Sequence, residues 1–150
     1  MVGLSIHDSK VVIIGSGFVG ASIAYAAMIR GLCTELIMVD INRKKAEGEV
    51  MDLSHGLPFV SPVEVRAGGY EECSGAEVIV ITAGANQAPG QTRLELAQKN
   101  AEILHSILSE IEKYEKDAIL FMTVAAWILL NSFRRGKAAP LHLQPLFCII

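Results

Sequence analysis

Cysteine is scarce in this chain of 150 residues, and its spacing fits neither a disulfide nor a metal pattern. The three cysteines, Cys33, Cys73 and Cys148, are odd in number and include no C-x-x-C pair. Neither a disulfide framework nor a zinc site is therefore indicated. We expect reduced thiols, buried in the core of a cytoplasmic protein.

An excess of charge and a long apolar run are also lacking. The net charge of −3 gives no reason to expect a nucleic acid or a membrane surface as partner. The longest apolar stretch, residues 118–130, is shorter than the ~18 residues of a membrane span. The N-terminal residues MVGLSIHDSK do not have the pattern of a signal peptide. The hydrophobic content of 51% instead suits strands buried on both faces, or surface hidden in an oligomer.

A strand, a helix and a second strand can be recognised in residues 10–40. The apolar run at residues 11–14 is short and β-branched, as is typical of a buried strand. An Ala-rich helical pattern follows at residues 21–30 and is closed by Gly31. A second apolar run at residues 36–39 predicts the next strand.

A G-x-G-x-x-G motif joins the first strand to the helix, and an acidic residue ends the second strand. Gly15 allows a tight turn, Gly17 lets the backbone approach a pyrophosphate, and Gly20 lets the helix pack closely on the sheet. Asp40, twenty residues beyond Gly20, has the spacing of a group that binds the adenosine ribose hydroxyls. Its carboxylate would repel a 2′-phosphate, so the pattern predicts NAD rather than NADP as the cofactor.

The rest of the chain continues to alternate between strands and helices. Residues 46–56 and 92–114 have helical patterns, and residues 63–65, 76–83 and 117–123 have strand patterns. This alternation predicts an α/β fold with a doubly wound parallel sheet, a Rossmann dinucleotide-binding domain. Apolar residues at helical spacing predict the buried face of the long helix: Leu94, Ala97, Ala101, Leu104, Leu108 and Ile111.

The fourth strand of such a sheet lies beside the first, across the cleft that binds the ligand. Gly84 and Ala85 follow this strand and should therefore line the cofactor cleft from the opposite wall. Lys45 is close enough to Asp40 in sequence to reach the adenosine end, although an ordinary solvated lysine explains it equally well.

Three stretches of the sequence resemble the NAD-dependent L-lactate dehydrogenases, and the bacterial enzymes in particular. They read GSGFVGASIAYA, ELIMVDINRKKAEGEVMDLSHG and ITAGANQAPGQTRLELAQKN, within a resemblance that extends over residues 10–123. In that family the third stretch is the mobile loop that closes over the substrate. The resemblance implies that Arg93 polarises the ketone being reduced. It also implies that Gln87 selects pyruvate and lactate, because the malate enzymes have Arg at this position.

The resemblance further assigns residues to the cofactor and to the substrate. Gln87 and Arg93 would face the substrate, a small 2-oxo or 2-hydroxy acid. Tyr70 and Ser106 could equally be an exposed turn tyrosine and a helix-surface serine. The residues expected to contact NAD, besides the motif glycines Gly15, Gly17 and Gly20, are Val19, Asp40, Lys45, Tyr70, Gly84, Ala85 and Ser106. The family also implies a homo-oligomer.

The match ends at Thr123. The family continues T-N-P-V-D-I-L there, whereas this chain continues VAAWILLNSFRRGKAAPLHLQPLFCII. We therefore expect an NAD-binding domain at residues 1–123, incomplete at the C-terminal edge of its sheet. Residues 124–150 are expected to be a poorly ordered tail, from a frameshift or truncation. The family's substrate domain, with its proton-shuttling histidine, has no counterpart, so turnover is expected to be weak.

Two alternatives remain open. One is a catalytically silent NAD-binding module that associates with partners through exposed apolar surface. The other is a malate dehydrogenase, which Gln87 disfavours. Assays with pyruvate and with oxaloacetate distinguish them.

Overall fold

The computed structural model describes residues 9–123, which form a parallel five-stranded sheet with helices on both faces. In chain order the strands are β1 (Lys10–Ile14), β2 (Glu35–Val39), β3 (Glu64–Gly68), β4 (Val78–Ile81) and β5 (Ile119–Met122). The helices are α1 (Phe18–Arg30), α2 (Arg43–Ser54) and α3 (Arg93–Ile111). Short 3-10 helices span Leu57–Phe59 and Tyr70–Cys73.

The strands lie in the order β3-β2-β1-β4-β5, so the chain changes direction across the sheet between β1 and β4. Ile13 pairs with Met38 on one side and with Val80 on the other, which fixes the register of the three central strands. This is the predicted doubly wound order, with the fourth strand beside the first. The cleft at the carboxyl ends of β1 and β4 is where such a sheet binds its ligand.

Each face of the sheet has its own apolar core. Alternate strand residues such as Val12, Ile37 and Ile79 pack with α3, and the residues between them, such as Ile13 and Met38, pack with α1 and α2. Side chains of a strand alternate between the two faces, so strands covered on both sides must be apolar throughout. This explains the continuous apolar runs in the sequence.

The prediction that Leu94 belongs to the buried face of α3 is wrong, since its side chain is exposed. The buried residues of α3 are Leu104, Ile107 and Ile111, all in the second half of the helix. A helix of 19 residues is about 28 Å long, whereas strands of four residues extend only about 13 Å. The first turn of α3 therefore extends beyond the core.

Most element boundaries differ from the prediction by a few residues, and those of α1 and β3 are examples. Helix α1 begins at Phe18, inside the glycine motif, rather than after it. The third strand extends to Gly68 instead of ending at residue 65. The predicted tail at residues 124–150 lies outside the described residues, and so does Cys148. Cys33 and Cys73 are buried free thiols, as predicted.

Candidate functional site

The glycine turn, residues 15–20, lies where β1 ends and α1 begins. The Gly15 N–H donates a 2.7 Å hydrogen bond to the Val39 carbonyl at the end of β2. Gly15 has a φ of +110°, and an added Cβ would lie 2.6 Å from the Ala83 nitrogen. Both the conformation and the space therefore require glycine at this position.

The other two glycines of the motif differ in what surrounds them. A Cβ on Gly20 would lie 1.9 Å from the Gly15 carbonyl oxygen, so α1 can approach the turn only because Gly20 has no side chain. A Cβ on Gly17 would meet no described atom within 4 Å. Gly20 is thus a packing glycine, whereas Gly17 borders open space from which a ligand can approach the backbone.

Helix α1 begins without a side-chain cap. Its N-cap residue Gly17 has extended backbone angles, and the first turn contains no acidic residue. By contrast, Asn42 caps α2, and Thr92 with Glu95 forms a capping box on α3. The uncapped N–H groups and the helix dipole of α1 favour an anionic ligand at this end. Together with the space beside Gly17, they fit the phosphates of a dinucleotide.

Asp40 lies against the glycine turn. Its Oδ2 accepts a 2.7 Å hydrogen bond from the Ser16 N–H, and its Oδ1 accepts a 2.9 Å bond from the Asn42 N–H. Two backbone donors therefore hold the carboxylate at the carboxyl end of β2, next to the glycine turn.

Tyr70 lies in the same region and packs on the α3 face of the core. Burial raises the pKa of its phenol, and electrostatic interactions with Cys73, Glu110 and Asp40 contribute in the same direction. Tyr70 is therefore not a freely exposed turn residue. Its hydroxyl remains protonated at neutral pH, because the ordinary pKa of ~10 is already well above 7.

The opposite wall of the cleft follows β4 and contains two contacts that the sequence did not reveal. The Thr82 hydroxyl donates a 2.9 Å hydrogen bond to the Gly15 carbonyl, so β4 holds the glycine turn from the other side of the cleft. The Asn100 side chain of α3 binds the backbone of Ala85, with 2.7 Å between Oδ1 and the Ala85 nitrogen. Sequence patterns show neither, because each contact joins residues far apart in the chain.

Gln87 and Arg93 lie in and after the polar segment that follows this wall. The Gln87 side-chain amide donates a 2.7 Å hydrogen bond to the Gln91 carbonyl, so in this conformation it is bound within its own loop. Arg93 is the first residue of α3 and is exposed. It takes part in no ion pair within residues 9–123, and its guanidinium is thus available to a ligand.

The remaining predicted cofactor residues are less closely associated. Val19 is exposed in the first turn of α1, and Lys45 is exposed in the first turn of α2, five residues beyond Asp40. Ser106 is exposed in the second half of α3. No described hydrogen bond joins Ser106 to the glycine turn. The structure thus brings the glycine turn, Asp40 and the end of β4 together through the Ser16–Asp40 and Thr82–Gly15 hydrogen bonds. Gly84 and Ala85 follow directly after that end.

A comparison with protein families identifies this domain. The family described as lactate/malate dehydrogenase, NAD binding domain, matches residues 9–126. The chain belongs to the lactate/malate dehydrogenase family. NAD is accordingly its cofactor, as the carboxylate at the end of β2 predicted, and the doubly wound fold is that of this dehydrogenase domain.

Individual dehydrogenases of the family support the assignment. The L-lactate dehydrogenase of Acetivibrio thermocellus is 51% identical over 113 residues, 75% of this chain and 36% of that protein. The ligand-bound minor L-lactate dehydrogenase of Enterococcus mundtii has a TM-score of 0.75 at 42% identity, over 83% of this chain and 42% of that one. The malate dehydrogenase of Picrophilus torridus has a TM-score of 0.77 at 31% identity, over 85% and 42% of the two chains. This chain thus spans about a third of the length of the curated relative.

The described part of this domain contains neither a metal-binding cluster nor a membrane-spanning helix. Among residues 9–123, no three His, Cys, Asp or Glu side chains are grouped as a metal site requires. None of the helices in the described part of the chain has both the length and the apolar character needed to cross a bilayer.

Proposed function

We propose that this chain provides the NAD-binding part of an L-lactate dehydrogenase, which transfers a hydride between NADH and pyruvate to give L-lactate. The observation that carries the proposal is the Asp40 carboxylate, held 2.7 Å from the Ser16 nitrogen beside an uncapped helix N-terminus. The L-lactate dehydrogenases at about half identity support the choice of reaction.

The residues of the cleft divide the binding of the cofactor between them. The N–H groups at the start of α1 bind the phosphates, with Gly17 leaving room for close approach. Asp40 accepts hydrogen bonds from the ribose hydroxyls, while Gly84 and Ala85 form the opposite wall. Val19, Lys45, Tyr70 and Ser106 complete the proposed contacts. Bound NADH supplies the hydride.

Arg93 and Gln87 are proposed to act on the substrate. Reduction of a ketone builds negative charge on its oxygen, and a guanidinium placed there stabilises that charge in the transition state. Arg93 is exposed at the start of α3 and takes part in no ion pair with the other described residues, so it is available for this role. Gln87 is neutral and would leave room for a methyl group, whereas a second substrate carboxylate would require a cation.

A binding experiment tests the cofactor site. Wild-type chain should bind NAD more tightly than NADP, because a 2′-phosphate near Asp40 costs between about 1 and about 4 kcal/mol, roughly fivefold to several hundredfold. Asp40→Asn should reduce this discrimination, as isothermal titration of both nucleotides would show. Equal affinity of the wild-type chain for NAD and NADP would refute the role of Asp40.

A matched pair of glycine variants tests where the phosphates lie. Gly17→Ala should lower stability by no more than about 1 kcal/mol, because alanine is a poorer N-cap than glycine but its Cβ meets no described atom within 4 Å. It should weaken the binding of both nucleotides at least about tenfold. Gly48→Ala, at a similarly open position in α2, should leave both affinities unchanged. If Gly17→Ala binds NAD as tightly as Gly48→Ala, the phosphates lie elsewhere.

Turnover tests the reaction. NADH oxidation with pyruvate supports the lactate enzyme, and Arg93→Lys should lower kcat because a point charge replaces the planar fork. Faster turnover with oxaloacetate than with pyruvate would favour the malate enzyme, an alternative that the structural similarity to the Picrophilus torridus malate dehydrogenase supports. NAD binding without turnover would favour the silent module.

The setting of the reaction is part of the proposal. We infer a cytoplasmic protein that acts on a small 2-oxo acid and assembles as a homo-oligomer. Exposed apolar side chains on α1, such as Tyr25 and Ile29, supply surface that an assembly would cover. Sedimentation of the purified chain tests the assembly, and a monomer at micromolar concentration would contradict it.

A further inference from the structure

The polar segment after β4 is tied to the rest of the domain at its first residues. In the described part of the chain, the hydrogen bonds of residues 86–91 join residues of this segment to one another. The Gln91 N–H donates to the Ala88 carbonyl, and the Ala88 N–H donates to the Gln91 side-chain oxygen. Ala85 is different, because its backbone binds a side chain of α3. The segment therefore has an internally bonded body and one external anchor at its base.

That anchor is the side-chain amide of Asn100. Its Oδ1 accepts from the Ala85 N–H at 2.7 Å, and its Nδ2 donates toward the Ala85 carbonyl at 3.4 Å. A primary amide has one acceptor and one donor side by side, so it can satisfy both polar groups of one residue as a neighbouring strand would. A Cβ on Gly84 would lie 3.3 Å from the same Oδ1, so the preceding residue also packs against this amide.

The anchor also connects the proposed cofactor wall to the proposed substrate residue. Arg93 and Asn100 are seven residues apart on α3, which places them on the same face of the helix, about 10 Å apart along its axis. Gly84 and Ala85 form the wall, and Arg93 follows the segment. Fixing Ala85 to α3 therefore fixes both ends of the segment that contains Gln87.

We propose that Asn100 is a positioning residue, which holds the Gly84–Ala85 wall in place for NAD and fixes the base of the segment at residues 86–91. This inference rests on the proposed function, since it gives the wall its cofactor. Asn100 acts through the backbone of Ala85, so the acceptor oxygen matters more than the size or polarity of the side chain.

Three variants of the full chain test the proposal. Asn100→Leu keeps the shape but removes both hydrogen bonds, Asn100→Asp keeps an acceptor for the Ala85 N–H, and Gln98→Leu changes an exposed residue of the same helix. Amide hydrogen exchange at Ala85 reports the anchor directly. Isothermal titration with NAD measures the affinity that depends on the Gly84–Ala85 wall, and thermal denaturation shows whether each variant is folded.

We expect Asn100→Leu to accelerate amide hydrogen exchange at Ala85, while exchange in β1 stays unchanged. The same substitution should weaken the binding of NAD about tenfold. The NAD affinity of Asn100→Asp should stay within about threefold of that of the wild type. Gln98→Leu should have the same NAD affinity as the wild type. Equal NAD affinity of Asn100→Leu and wild type, with exchange at Ala85 accelerated, would overturn the positioning role. So would a loss in Asn100→Asp as large as that in Asn100→Leu.

Two controls separate the possible failures. If Asn100→Leu does not fold, Asn100→Ala replaces it with the same expectations, and the comparison with Asn100→Asp still decides. If the wild-type chain itself does not bind NAD, the proposed function fails, and the positioning role fails with it. If the wild-type chain binds NAD and Asn100→Leu or Asn100→Ala binds it equally well, only the role of Asn100 is overturned.

Discussion

Replacing Gly20 with alanine should destabilise this domain, although alanine is the better helix former. The added Cβ would lie 1.9 Å from the Gly15 carbonyl oxygen and 2.8 Å from Thr82 Oγ1. Overpacking of this kind costs about 1–3 kcal/mol, and loss of the Thr82–Gly15 hydrogen bond costs about 1 kcal/mol more. The propensity gain of alanine is about 1 kcal/mol. We therefore expect a net loss of about 1–3 kcal/mol in the free energy of unfolding.

Gly48→Ala is the matched control for this measurement. Gly48 lies inside α2, and a Cβ there would meet nothing within 4 Å, so alanine should stabilise the domain by about 0.5–1 kcal/mol. Urea unfolding followed by circular dichroism should move the two midpoints in opposite directions, by roughly 1 M downward for Gly20→Ala. The interpretation of the glycine turn is refuted if Gly20→Ala is as stable as wild type.

Two further predictions concern ionisable groups. A hydrogen bond from the Arg66 guanidinium lowers the pKa of the Glu72 carboxyl, so this pair stabilises the fold above the unfolded pKa of ~4.3 and loses that effect as pH falls through the folded value. Arg66→Met should therefore lower the urea midpoint more at pH 7 than at pH 3. The control Arg43→Met, at an exposed position, should not show this difference between the two pH values. Equal losses for Arg66→Met at both pH values would contradict the prediction. Burial raises the pKa of the Cys73 thiol to about 11. Iodoacetamide at pH 8 should alkylate Cys73 much more slowly in the folded chain than in urea, and equal rates by peptide mass spectrometry would contradict its burial.

The elements around the glycine turn could be predicted because their causes are local. A β-branched run, three glycines at fixed spacing and an acidic residue at the end of a strand each act through neighbours in sequence. The strand order then follows from the general rules for parallel sheets. The contact between Asp40 and Ser16 follows as well, since the ends of adjacent parallel strands meet at one edge.

What could not be predicted depends on contacts between distant parts of the chain. Helical spacing alone assigned Leu94 to the core, but only the relative lengths of α3 and the strands show that its turn lies beyond the sheet. Thr82 and Asn100 have ordinary positions in a strand end and a helix. Their importance becomes visible only when the Gly15 and Ala85 backbones lie beside them.

The two hydrogen bonds of the Asp40 carboxylate have a consequence for protein engineering. One oxygen is bound to Ser16 and the other to Asn42 before any nucleotide arrives. Substitutions at Asp40 are therefore pleiotropic. Besides acting on the proposed coenzyme preference, they would remove the hydrogen bond that links the loops after β1 and β2, and a second bond within the loop after β2. A redesign toward NADP would need a compensating acceptor for both amides, or would have to begin at the exposed side chains nearby.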